Sequence, residues 1–276
     1  EVAMFNGVNP TVEEQLKYFY DVWGTDRTYN HMAVGWAWAF DTPFKWTKQV
    51  ASHFGGTRQG MAISWPSVIK DKGGVRHQFH HVIDIVPTIL EAAHVRQPDI
   101  VDGIKQSPIE GVSLAYTFDA KNANAPTTHK TQYFEMMADR AIYHDGWIAS
   151  TKVMRAPWDH FPPKVGVMDY PWELYDTRKD WTQFEDVAAK NPAKLKEMQA
   201  LFWKEADKYQ VKPLDASLVG RLLTERPSLS AGRTHFDWTR PITGIPNGDA
   251  PSILNASYTF KADVDVPQAG ADGMLI

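Results

Sequence analysis

The chain has 276 residues, 43% of them hydrophobic and 22% charged, with 11 Trp, a formal net charge of −4 and a pI near 6.2. That length suits one large domain or two ordinary ones, and the composition is that of a globular protein. No basic field exists to gather nucleic acid or an anionic membrane, and the lack of Cys excludes disulfides, thiolate metal ligands and a cysteine nucleophile within these residues. No apolar run reaches the roughly 18 residues of a membrane span. The expected partners therefore include no nucleic acid, and no membrane span is expected. Glu1 opens the sequence in place of Met and Ile276 ends it inside an apolar pattern, so both ends look cut.

In chain order, TVEEQLKYFYDVWG (11–24) places Thr11 three residues before Glu14 and stops at Gly24, the spacing of a capping box at the head of a helix. TYNHMAVGWAWAFDTPF (28–44) is aromatic and aperiodic and reads as a loop over a surface. MAISWP (61–66) predicts a short buried strand closed by Pro66. HHVIDIVPTILEAAHV (80–95) predicts a helix with Asp84 as cap and Pro87 in the first turn. Strand, helix and polar connection together are the grammar of an α/β unit. QYFEM and RAIYHDGWIASTKV predict strands, the second folded at Asp145-Gly146. WELY (172–175) predicts another. NPAKLKEMQALFWKEADKYQV (191–211) is the clearest helix, with Leu195, Met198, Leu201, Phe202 and Ala206 on one face.

After Pro213 the texture turns rich in Pro, Gly and Ser, then alternates strictly in SYTFKADVDVP, the pattern of a half-exposed strand. The expected division is an α/β part over 1–213, a linker over 214–257 and the start of a β domain over 258–276.

TPFKWTKQVASHFGGTR (42–58) gathers Lys45, Lys48, His53 and Arg58 around Gly55-Gly56. The glycines read as a turn with positive φ, Arg58 as a brace and Lys45 as a surface charge. Lys48 read alone is a solvated cation. His31, Trp36 and Trp38 leave two readings open: a rim that recognises an aromatic or sugar group, or a lid packed over a sheet. His53 is read either as a packed histidine or as one reaching a pocket. His80 and His81 are adjacent and must face different ways, so at most one serves a site.

The same stretch resembles the sulfatase pattern in which Thr42, Pro43 and Phe44 lead to an active-site lysine, here Lys48, and Gly55, Gly56 and Arg58 match the following turn. ISWP, HHVIDIVPTILEAA, RAIYHDGW and WELYDTRKD are similar to the ordered landmarks that come next, over roughly residues 1–213 and most like bacterial arylsulfatases of the long form. The resemblance implies the C-terminal part of an alkaline-phosphatase-like sulfatase domain, followed by the start of a β domain. It also implies hydrolysis of sulfate esters, with Lys48 catalytic and His31, Trp36 and His53 as substrate-binding candidates.

A sulfatase further implies a formylglycine made from Cys or Ser in a Cys/Ser-x-Pro-x-Arg motif, and calcium held by Asp and Asn. Neither that motif nor an Asp-Asn pair occurs here, so the chain alone is expected to be inactive and to need a missing N-terminal portion or a covering chain. Asp84 and Asp176 match landmarks with structural roles. Two alternatives remain: part of a related phosphatase or phosphonate monoester hydrolase, or a non-catalytic module of the fold. The absence of Cys fits bacterial periplasm and cytoplasm alike.

Overall fold

A computed structural model describes residues 10–28, 32–159 and 163–217, with parts of 220–273. The chain divides into two units, Glu1–Leu218 and Val219–Ile276.

The first unit is organised on an antiparallel sheet of four strands in sequence order: β3 (Thr131–Met136), β4 (Asp139–His144), β5 (Trp147–Thr151) and β6 (Trp172–Asp176). A two-residue turn closes the β4–β5 hairpin at Asp145 (φ 44°) and Gly146 (φ 84°), the conformation that makes Asp-Gly a hairpin signal. A tiny hairpin, β1 (Ile100–Val101) with β2 (Ile104–Lys105), turns on Asp102-Gly103 in the same way. Sequence reading had taken that Asp-Gly only as part of a polar connection.

Side chains alternate across the sheet, and each face has its own cover. On one face Ile142, Ala149 and Leu174 meet Met198, Phe202 and Ala206 of the long helix Pro192–Lys208. All six are buried, and the helical residues recur at three to four as the sequence predicts, with Leu195 and Leu201 packed at the margin. On the other face Ala141, Ile148 and Tyr175 pack against Phe54 and Phe44. Farther along that face, Phe79 stacks on Tyr143 at 3.7 Å between ring centroids. Burial on both faces explains why β4 is buried from Asp139 to Tyr143 without interruption.

Among the described residues, four α-helices precede the sheet in the chain: α1 (Val12–Phe19), α2 (Val34–Asp41), the single turn α3 (Phe54–Thr57) and α4 (Ile85–Ala92). The helix on the opposite face is α5. In α1 the Thr11–Glu14 capping box forms in both directions. Where sequence reading places a loop, α2 is helical. Its residues VGWAWAF are apolar on every side, so no helical period shows, and Trp36, Trp38 and Phe40 are exposed.

The predicted strand at 61–66 carries no ladder among the described residues, and Met61 and Ile63 are exposed. The α/β unit is thus represented by its helix α4, whose only buried residue is Thr88, while Ile85, Val86 and Ile89 face outward. An apolar run specifies a strand only when a neighbour accepts its backbone hydrogen bonds. The same holds in the second unit, where Tyr258, Phe260, Val264 and Val266 alternate as predicted but are exposed, with no strand among the described residues there.

Phe202 is fully buried against the sheet, its ring in edge contact with Trp172 of β6 and with Trp203. Phe202→Ala is expected to lower the stability of the full chain by about 3–5 kcal/mol. Chemical denaturation followed by Trp fluorescence measures this, and a loss below about 1 kcal/mol would contradict the packing described.

Candidate functional site

The 42–58 segment is a close-packed loop that ends in α3. Gly55 donates its N–H to the Lys45 carbonyl at 3.0 Å, and a Cβ on Gly55 would collide with the Trp46 carbonyl oxygen. A Cβ on Gly56 would likewise meet the Val50 carbonyl oxygen. Neither glycine has positive φ. They are required because backbone runs against backbone, a reason different from the turn conformation that the sequence suggests.

The left-handed residues are instead Trp46 (φ 68°) and Gln49 (φ 80°), which bracket Lys48. Bulky non-glycine residues hold that conformation only where surrounding structure over-determines it. Arg58 supplies part of that constraint, its guanidinium lying 5.0 Å from the ring centre of Phe44, 5.8 Å from that of Phe54 and 5.5 Å from that of Trp181.

Lys48 is exposed and makes no hydrogen bond or ion pair among the described residues. Lys45 is more engaged: its ammonium donates to the Phe184 carbonyl at 3.3 Å and lies 5.4 Å from the Tyr175 ring centre. His53 is only 2% exposed, with Nδ1 2.8 Å from Ser52 Oγ and Nε2 3.2 Å from Glu173 Oε2. Tyr175 also donates its hydroxyl to Glu173 Oε2, at 3.0 Å. Trp36 lies exposed on α2, and His31 falls outside the described residues. The structure therefore brings Lys45, Lys48 and His53 into one loop, with His53 turned into the core and Lys48 to solvent.

A cleft of about 570 Å³ runs between this loop, β3 and the end of α5. Gln49, Gly56 and Thr57 line one side, and Tyr133, Glu135, Glu205 and Tyr209 the other. It also carries Glu110, and none of its lining residues is Lys or Arg. Its acidic lining is Glu110, Glu135 and Glu205, of which Glu110 is paired with Lys208 at 2.9 Å.

A second polar centre is built on Asp84, which is fully buried. Its Oδ2 lies 2.8 Å from His80 Nδ1 and 2.8 Å from His129 Nδ1, and accepts from the backbone N–H of His81 at 3.0 Å. Oδ1 accepts from the Val112 N–H at 2.8 Å. Asp84 stands at the N-cap position of α4, as the sequence suggests, but its side chain makes no bond into that helix. It stands at the third position of the 3-10 turn Val82–Asp84 and reaches back in a capping box to His81. Burial opposes its charge, but the hydrogen bonds from His129, His80, His81 and Val112 outweigh it and hold the carboxyl far below the usual range.

Sequence reading missed His129, Glu173 and Ser52. His129 and Asp84 are 45 residues apart, and His53 and Glu173 are 120 apart, so no spacing could signal either pair. Calcium is not suited to the residues near Lys48: it takes six to eight oxygen ligands, and the carboxylate that reaches this loop, Glu173, is committed to His53 and Tyr175.

No protein-family model matches the chain. Solved structures align with part of it. One is a protein of the Bacteroides thetaiotaomicron core genetic locus for metabolism of multiple glycosaminoglycans, at 18% identity and TM-score 0.41 over 56% of this chain and 30% of that one. Another is a protein in complex with its substrate D-glucosamine-2-N,6-O-disulfate, at 20% identity and TM-score 0.32 over 48% and 25%. A third, in complex with k-i-k-neocarrahexaose, aligns at 19% identity and TM-score 0.35 over 52% and 28%. This chain spans less than a third of the length of each.

Burial works to raise the Glu173 pKa, but hydrogen bonds from His53 and Tyr175 and the nearby charges of His53 and Lys45 bring it below its ordinary 4.5. A carboxylate held low in the folded state stabilises above its unfolded pKa and loses that contribution as pH falls through the folded value. Glu173→Gln is expected to cost about 1.5–3 kcal/mol at neutral pH, with the gap to wild type closing below pH 4.5. Denaturation curves at several pH values test this, and a pH-independent gap would overturn it.

Proposed function

We propose that this chain is the C-terminal part of a sulfate-ester hydrolase of the arylsulfatase type, and that Lys48 is its contribution to the sulfate-binding site. The single observation that carries the reading is the presentation of Lys48. An exposed ammonium with no hydrogen bond or ion pair among the described residues stands between two left-handed residues on a loop clamped by glycine contacts and by Arg58. The motif order in 42–58, 80–95, 140–147 and 172–180 supports the same assignment.

A compact ammonium with three donors suits a sulfate oxygen or the ester oxygen on which charge develops as the S–O bond breaks. A loop that holds it in place needs little reorganisation during the reaction. On this reading the nucleophile and the calcium ligands come from residues outside this sequence. His53, with Ser52 and Glu173, positions the loop from beneath, and the acidic cleft lies away from the anion. Trp36 and His31 belong to the recognition of the remainder of the ester.

The purified chain is expected to show no calcium-dependent hydrolysis of an aryl sulfate; turnover by the chain alone would sink the proposal. Joined to the product of the coding sequence upstream of Glu1, it is expected to be active. In that assembly Lys48→Ala lowers kcat by about 10²–10³, while Lys45→Ala has a much smaller effect. Equal losses from the two substitutions would remove Lys48 from its role.

The reading also accounts for the outward-facing apolar residues Met61, Ile63, Val82, Ile83, Ile85, Val86 and Ile89, which an α/β sheet normally covers. The chain alone is therefore expected to bind a hydrophobic dye and to self-associate in size-exclusion chromatography, and the assembly to do neither. A monodisperse monomer that unfolds cooperatively and binds no dye counts against the covering portion.

A further inference from the structure

We propose that His80, Asp84 and His129 form a binding site for one divalent transition-metal ion of the zinc class, with an open coordination position toward the cleft. The proposal is independent of the ester-hydrolase reading and of any calcium site.

The three side chains each offer one ligand atom, all within 4.8 Å of one another. Both imidazoles aim Nδ1 at the same carboxylate oxygen, Asp84 Oδ2, at 2.8 Å. The far nitrogen of each ring is also held. His80 Nε2 lies 3.1 Å from the Tyr116 hydroxyl, and His129 Nε2 lies 3.1 Å from both the Thr131 carbonyl and Gln132 Oε1. Metal-ligating histidines show this arrangement, one nitrogen on the metal and the other hydrogen-bonded to an acceptor that fixes the ring. The Asp84 carboxylate is itself oriented by the backbone N–H groups of His81 and Val112.

Two imidazole nitrogens and one carboxylate oxygen are the donors of zinc and its neighbours, whereas calcium and magnesium take oxygen alone. Three protein ligands leave a fourth tetrahedral position. Of the three ligands His129 lines the 570 Å³ cleft, the side from which an ion would enter and a water or a ligand group would fill the fourth position. On binding, the metal takes the place of the protons between the imidazoles and the carboxylate.

The test uses the full chain after chelation and dialysis, with Zn²⁺ and Co²⁺ alone as probes. Calorimetry is expected to give one Zn²⁺ per chain, and Co²⁺ the visible spectrum of a tetrahedral site. Imidazole ¹⁵N spectra of the wild type are expected to shift the Nδ1 resonances of His80 and His129 at one equivalent of Zn²⁺. His80→Gln abolishes the site. Tyr116→Phe, which keeps all three ligands, weakens binding about 10–100-fold. The double variant His77→Ala, His94→Ala, at two exposed histidines, leaves it unchanged.

Unmoved His80 and His129 resonances at saturating Zn²⁺ overturn the proposal. So does binding lost in the His77, His94 variant, which is adventitious surface chelation. Because the spectra are taken on the wild type, the result stands even if His80→Gln does not fold.

Discussion

The sheet is buried on both faces, and the positions of the other elements in the first unit follow from that. A strand with one wet face needs one cover. β4 needs two, and they come from chain segments far apart in sequence: α5 on one side, the 42–58 loop and the Phe79 region on the other. The loop that carries Lys48 is therefore seated on a sheet whose opposite face is already fixed by a 17-residue helix. Phe54 and Phe44 anchor it through Ala141, Ile148 and Tyr175, and the Lys48 side chain is left at the surface above that anchor.

The electrostatics divide along the same line. Under the loop, the buried His53 imidazole places Nε2 3.2 Å from Oε2 of the half-buried Glu173, and the pair is committed to structure. Beside it, the cleft gathers glutamates and two tyrosines, Tyr133 and Tyr209, whose rings stack at 5.3 Å. On the outer side Lys48 stands exposed, without an ion pair among the described residues.

What was legible in the sequence is what depends on neighbours in the sequence. The Thr11–Glu14 capping box, the Asp145-Gly146 hairpin and the Met198, Phe202, Ala206 stripe are set within a few residues and appear as expected. Features that depend on a distant partner were not legible. The 61–66 run has strand composition but no paired neighbour, α2 is apolar on all sides and so shows no period, and the His129 and Glu173 contacts cross 45 and 120 residues. Gly55 and Gly56 were visible as special, but composition cannot distinguish a glycine that turns from one that yields space to another backbone. The resemblance in 42–58 marked Lys48 as the residue to weigh, and its exposure and lack of a partner follow from geometry.

Asp84 has a mechanical consequence. With one carboxylate it gathers groups at positions 80, 81, 112 and 129, closing loops of 28 and 45 residues. Closing such loops costs conformational entropy that grows only slowly with length, so one fully occupied acceptor can tie together a long and otherwise thinly packed stretch. The stretch then has no graded way to loosen. Removing a donor leaves a buried charge short of partners, and the strain falls on the remaining ties together. Residues 80, 81, 112 and 129 are thus tied together through the single side chain of Asp84.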